Sequence, residues 1–180
     1  MSVEAHRAAG GALPVVRIGL VTVSDTRDAE SDRNGAWLAG AADVPGLVLV
    51  HKEIVRDDPG AISASLDRAL AAGADLLVFN GGTGIAPRDT TVDVVAPRFR
   101  PELPGFGELF RMLSFAEIGS AAMLSRAAAG VVDGVPCFCL PGSHAAVQLA
   151  WTRLIAPEIG HLVSELRRPA GTITASNGTD

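Results

Sequence analysis

Apolar and polar positions along this chain fall into blocks of two kinds. Short aliphatic runs end in polar, glycine-bearing turns, and longer segments with helical spacing follow them. Val15 to Val23, rich in β-branched residues, predicts a buried first strand. After the polar stretch 24–35, a helix is expected from about Gly35, carrying Trp37, Leu38 and Ala41. Leu47 to Val55 alternates imperfectly, as a strand near a sheet edge does. Ile62, Leu66, Ala69 and Leu70 mark a helix from about Pro59 to Ala72, with proline in its first turn and Gly73 as its stop. Leu76 to Phe79 is a continuous apolar run and predicts a central strand, which empties into Asn80 and the turn Gly81-Gly82-Thr83-Gly84. Thr90 or Thr91 then caps a helix with Val94, Val95 and Phe99 on its apolar side. A further helix carries Leu109, Phe110, Met112 and Leu113. Ala127 to Val132 and Val135 to Leu140 read as two more strands, and Ala145 to Leu166 as an amphipathic helical segment that Pro157 divides.

Strands alternating with helices predict an α/β fold, a three-layer α/β/α sandwich on a mostly parallel sheet. Right-handed crossovers would place the strand-end turns along one rim, where open parallel sheets bind ligands. Residues 14–168 are expected to form a single domain, with residues 1–13 and 169–180 as flexible tails.

Composition changes this picture little. The chain has 180 residues, 48% of them hydrophobic and 19% charged, which suits a core-forming domain rather than a disordered one. A formal net charge of -5 offers no basic footprint for nucleic acid. No apolar run approaches the roughly 20 residues of a membrane span, and residues 1–13 lack a signal peptide's apolar core, so a cytoplasmic protein is expected. Cys137 and Cys139 are expected as buried, reduced residues on opposite faces of the last strand, unable to form a disulfide with each other.

The chemistry gathers at three strand ends. Ser24 and Asp25 follow the first strand, Gly81 to Asp89 the central one, and Pro141-Gly142-Ser143-His144 the last. Glycines admit close approach of a ligand, and unpaired amides at a helix start suit an anion. A Walker A loop needs Lys followed by Ser or Thr after its second glycine, and Ile85-Ala86 stand there instead. The glycine spacing does not fit the Rossmann fingerprint either. A general nucleotide-binding module is therefore disfavoured. Asp57 and Asp58 precede a helix, where acidic residues are ordinary start signals. Ser125 and Arg126 pair a neutral donor with a cation, which suits phosphate or a capped surface turn.

Several motifs together are specific. They are Thr22-Val23-Ser24-Asp25, Gly81-Gly82-Thr83-Gly84 with Arg88-Asp89, Pro104-Gly105-Phe106-Gly107-Glu108, Leu124-Ser125-Arg126 with Ala129-Gly130, and Leu140-Pro141-Gly142-Ser143. From about Val16 to Arg167 the chain resembles the MogA/MoaB family, the molybdopterin adenylyltransferases, which include the gephyrin G domain. The run Phe110 to Gly119 and the sequence Asp32-Arg33-Asn34-Gly35 are similar to the MoaB branch. The resemblance implies a molybdopterin-binding-domain fold and a homo-oligomer, a trimer or dimer of trimers. It implies a role in molybdenum cofactor biosynthesis beside other proteins of that pathway: adenylylation of molybdopterin with Mg-ATP, releasing pyrophosphate. Asp57, or its neighbour Asp58, and Asp89 would be the catalytic aspartates holding Mg²⁺. Ser24, Asp25, Gly81, Gly82, Thr83 and Gly84 would face the nucleotide and its phosphates. Ser114, Ser125, Arg126, Pro141, Gly142 and Ser143 would face molybdopterin. Many adenylyltransferases of the family have Pro-Gly-Asn-Pro where this chain has Pro141-Gly142-Ser143-His144. The alternative implied by the MoaB branch is an inert molybdopterin-binding or carrier protein.

Overall fold

The computed structural model describes residues 15–167. The expected tails, 1–13 and 169–180, and the domain's end residues 14 and 168 lie outside the described residues. The strands are β1 (Val16–Val23), β2 (Leu47–Val55), β3 (Leu76–Asn80), β4 (Ala128–Val132) and β5 (Val135–Leu140). They form a five-stranded sheet in the order β2-β1-β3-β5-β4. All pairings are parallel except that of β4 with β5. The helices are α1 (Arg33–Ala41), α2 (Pro59–Ala71), α3 (Thr91–Val95), α4 (Pro104–Ile118), α5 (His144–Ala150) and α6 (Ile159–Arg167).

Strand alternation sorts the core into two layers. Ile18, Leu20, Leu76, Val78, Phe138 and Leu140 face one side, packed with residues of α1, α4, α5 and α6. Val21, Val23, Leu77 and Phe79 face the other, packed with Ile62 and Leu66 of α2 and Val95 of α3. The three-layer expectation therefore holds. The cysteines are buried and free, as expected, but they do not lie on opposite faces. Cys137 and Cys139 are both free and lie in the same core layer, because residues two apart on a strand share a face. Burial is the main cause that pushes the Cys137 thiol well above its ordinary range, with its neighbour Cys139 adding to it.

One helix boundary differs from the reading by pattern. α1 starts at Arg33, ahead of Gly35, because the Asp32 carboxylate caps it by accepting from the Gly35 amide at 3.0 Å. The last segment divides as expected at Pro157. α5 runs into a π-turn (Trp151–Ile155) and a 3₁₀ turn (Ala156–Glu158) before α6 resumes.

Register sets the site. Thr22 on β1 lies beside Asn80 on β3, which in turn lies beside Leu140 on β5. The three chains leave the sheet at one level, so their turns form one rim. At the sheet's far side, residues 100–103 lie along the outer edge of β4. Arg100 and Leu103 amides donate to Val131 and Ala129 carbonyls at 2.7 and 2.8 Å, and the Val131 amide donates back to Pro101 at 2.8 Å. β2 forms the other edge, as its imperfect alternation suggested.

Opposite the rim, Asp75 ties β1 and β3 to α6. Arg17 Nε and Arg167 Nη2 lie 3.0 and 2.8 Å from its carboxylate oxygens. Burial alone would raise this carboxyl, but hydrogen bonds from Arg17 and Arg167 outweigh it and hold the pKa at about 2. A depressed folded-state value contributes stability that is complete above about pH 4 and lost as pH falls toward the folded value. Asp75→Asn should lower the melting temperature at neutral pH. Melting curves between pH 7 and 2 should show its difference from wild type shrinking below about pH 4. A constant difference across that range would remove the ion pair as the cause.

Candidate functional site

The rim encloses a cleft of about 400 Å³, lined by Ser24, Asp25 and Arg27 from the end of β1, Asp57 after β2, Gly81 to Gly84, Arg88 and Asp89 after β3, Ser125 before β4, and Pro141 and Gly142 after β5. Residues far apart in sequence meet here because four strand ends open on the same side.

The glycine turn has two roles that spacing alone does not separate. Gly81 serves the fold. Its φ is 104°, an added Cβ would strike the Val23 carbonyl oxygen, and its amide donates to Leu140 O at 2.9 Å. It therefore does not present a free amide to a ligand, contrary to the expectation for it. The amides of Gly82, Thr83 and Gly84 donate to nothing among the described residues. Gly82 has φ 64°, and a Cβ there would collide with Thr91 Oγ1 and the Asp57 carboxylate. The bare Cα lets this carboxylate lie against the turn. α3 spans only five residues, so its dipole adds less to the site than a longer helix would, and the unpaired turn amides are the main donors.

Asp57 is fixed by Thr90, whose amide and hydroxyl donate to Oδ1 at 2.9 and 2.8 Å. Its own amide donates to Asp25 Oδ1 at 3.3 Å, joining the β2 and β1 loops. Thr90 thus serves Asp57 rather than capping α3 with its side chain. Asp89 Oδ2 accepts from the Ala86 amide at 2.9 Å. Among the described residues, Asp57 Oδ2 and Asp89 Oδ1 accept no hydrogen bond. Asp58, the neighbouring candidate, lies outside the cleft lining. It is the N-cap of α2, accepting from the Ala61 amide at 2.9 Å.

The residues expected on the pterin side are not all brought together. Ser125, Pro141 and Gly142 line the cleft. Arg126 does not. Its guanidinium donates to Gly84 O at 2.7 Å, to Asp89 O and to both Asp93 oxygens, so it clamps the loop that carries Asp89. Ser114 is buried on α4 away from the cleft, and Ser143 is exposed outside its lining. Ser24 Oγ accepts from the amides of Thr26 and Arg27 at 3.3 and 3.2 Å, which shapes the β1 loop.

Beneath the cleft lies a polar network that reading by pattern missed. Asn80, with no exposed surface, donates to Thr22 Oγ1 at 2.9 Å and accepts from Asn34 Nδ2 at 3.1 Å. Asn34 also donates to Gly142 O at 2.9 Å, and Thr22 Oγ1 donates to Asp32 at 2.8 Å. The available signal was a cluster of amide and hydroxyl side chains beside a fully apolar strand, where a buried polar group needs a partner.

A family model described as "Probable molybdopterin binding domain" matches residues 19–161. The chain belongs to the MogA/MoaB family of molybdenum cofactor biosynthesis proteins. It is 45% identical over 170 residues to molybdenum cofactor biosynthesis protein B of Bacillus subtilis (strain 168), covering 93% of this chain and 99% of that one. A crystal structure of a molybdenum cofactor biosynthesis protein B superposes with a TM-score of 0.81 at 44% identity, covering 88% of this chain and all of the other. The tungsten cofactor synthesizing protein MoaB from Pyrococcus furiosus superposes with a TM-score of 0.79 at 35% identity, covering 86% and 98%. A MogA structure at 28% identity gives a TM-score of 0.76 over 83% of this chain and 99% of that one. The role of this MoaB-branch member in molybdenum cofactor biosynthesis follows. Among the described residues, no helix is long and apolar enough to cross a membrane.

The two adjacent aspartates can be separated by experiment. Asp58→Ala removes a helix cap and should lower unfolding free energy by about 1 kcal/mol while leaving ligand binding in the cleft intact. Denaturant melts and Mg-ATP titration of the same sample check both halves. Lost nucleotide binding with unchanged stability would exchange the roles given to Asp57 and Asp58.

Proposed function

We propose that this protein is a molybdopterin adenylyltransferase of the cytoplasm, acting with other molybdenum cofactor biosynthesis proteins. The observation that carries the reading is that Asp57 and Asp89, from different loops, line one cleft with the unpaired amides of Gly82, Thr83 and Gly84. A terminal phosphate oxygen of molybdopterin attacks the α-phosphorus of ATP. The new phosphorus–oxygen bond forms as the bond to the bridging oxygen breaks, and pyrophosphate departs with that electron pair. Such a transfer needs position and charge neutralisation rather than a strong base.

The carboxylates fit Mg²⁺. Among the described residues each keeps one oxygen without a partner, and hard oxygen donors in small number suit an ion that retains waters and binds substrate phosphates. Asp57 and Asp89 would hold it, and it would offset the charge of the ATP phosphates. Thr90 fixes Asp57, Arg126 holds the loop of Asp89, and the turn amides and Thr83 orient the nucleotide phosphates. Ser24 and Asp25 shape the wall beside them. Ser125, Pro141 and Gly142 form the pterin end.

With Mg-ATP and molybdopterin, the purified protein should release pyrophosphate and yield adenylylated molybdopterin. Asp57→Ala and Asp89→Ala should each reduce turnover at least 100-fold, on the scale of losing a positioned electrostatic group, with melting curves showing a retained fold. Tight molybdopterin binding by the wild type without pyrophosphate release would leave a carrier protein instead.

The outer side of α4 exposes Met112, Phe115 and Ile118, each about 60% accessible. An apolar face of this kind on a helix that is buried along its other side suits coverage by a second copy of the chain. We propose a homo-oligomer, a trimer or dimer of trimers, that uses this face. Light scattering at micromolar concentration should give the oligomeric mass for wild type and a smaller species for Phe115→Asp. A monomeric wild type would refute it.

A further inference from the structure

Three arginines stand around the cleft, and the protein holds each differently. The Arg126 guanidinium is committed to two backbone carbonyls and Asp93. Arg88 is 72% exposed, and its ion-pair contact, Asp25, lies 3.9 Å away. Arg27 is half-buried in the cleft wall and makes one side-chain hydrogen bond among the described residues, from Nη2 to Gly142 O at 3.1 Å.

That carbonyl does not depend on Arg27. Asn34 Nδ2 donates to the same oxygen at 2.9 Å, and Asn34 is 1% exposed and fixed by Asn80. The guanidinium can therefore leave Gly142 without orphaning a buried acceptor. Most of its five N–H donors have no partner among the described residues. Its main chain is held in the β1 loop by Ser24 Oγ, yet its side chain passes the end of β3 to reach the turn after β5. Asp57 follows β2, at the opposite end of the strand order. The cleft's carboxylates Asp57, Asp25 and Asp89 follow β2, β1 and β3, with the exposed Arg88 beside Asp25, and the loosely committed Arg27 guanidinium stands at the Pro141–Gly142 end.

We propose that Arg27 binds the phosphate monoester of the acceptor substrate and thereby selects phosphorylated pterins over their dephosphorylated forms. The identity of that acceptor rests on the adenylyltransferase reading above. A planar guanidinium offers two parallel donors to a phosphate dianion, which an amide turn alone does not match in charge. Arg27 makes and breaks no covalent bond; its role is to recognise and place the attacking phosphate.

The test compares binding to the full-length protein without ATP, using molybdopterin and its dephosphorylated pterin, with Mg-ATP titrated separately. Arg27→Met should weaken molybdopterin roughly 10- to 100-fold, the range for losing hydrogen bonds to a charged group. Binding of the dephosphorylated pterin, Mg-ATP affinity and melting temperature should stay at wild-type values. Arg27→Lys, which keeps the charge without the fork, should recover part of the loss. Equal weakening of both pterins, or weakening of Mg-ATP alone, would overturn the assignment. Failure of the adenylyltransferase reading would look different: the wild type would bind molybdopterin and release no pyrophosphate, while the ratio between the two pterins still decides the role of Arg27.

Discussion

A parallel sheet sends its strand ends into loops whose carbonyls and amides have no ladder to join, and here the buried amide of Asn80 supplies several of the missing bonds. It donates to Val21 O and Thr22 Oγ1 on β1 and accepts from Asn34 on α1, which reaches on to Gly142 after β5. In the Nδ1–H tautomer His144 donates to Asn34 Oδ1, and at the other end Thr22 donates to Asp32. Each member donates to the next and the chain ends on a carboxylate, so the bonds polarise one another in one direction. Removing one member leaves a buried partner unpaired, at about 1–3 kcal/mol. The cleft floor is rigid because this network allows few alternatives. The glycine turn and the Pro141–Gly142 turn hang from it, and Gly81 joins them directly through Leu140.

The fold was legible because its signals are periodic. Strands such as Leu76–Asn80 are buried on both faces, with residues 76–79 forming an unbroken apolar run, and the helices keep their apolar spacing. Where periodicity was silent, expectation went astray. Asp32 and Asn34 look like solvated loop residues, yet they are 3% and 1% exposed and cap α1 and brace the rim. Cys137 and Cys139 are an error of another kind: they were placed on opposite faces although the strand period itself puts residues two apart on one.

The site was legible as a set of loops and less so as a set of roles. The family resemblance brought Asp57 to the same place as Asp89 and the glycine turn, but neither it nor spacing could divide labour within them. Gly81 and Gly82 are adjacent and both need positive φ, yet one closes the fold and the other clears space for a carboxylate. Ser125 and Arg126 are adjacent as well, one in the cleft wall and the other bonded behind it. Such distinctions depend on which way a side chain leaves the backbone, and that direction is set by partners as far as 115 residues away.

The segment 100–103 along β4 bears on how this protein avoids fibrous association. A sheet with two bare edges can add strands at both and grow without limit. Here one edge is already occupied by the chain's own backbone, while β2 keeps an unpaired row of amides and carbonyls among the described residues. Pairing through β2 would consume the one bare edge found among the described residues. The result would close at two copies rather than propagate, so at high concentration edge pairing is self-terminating.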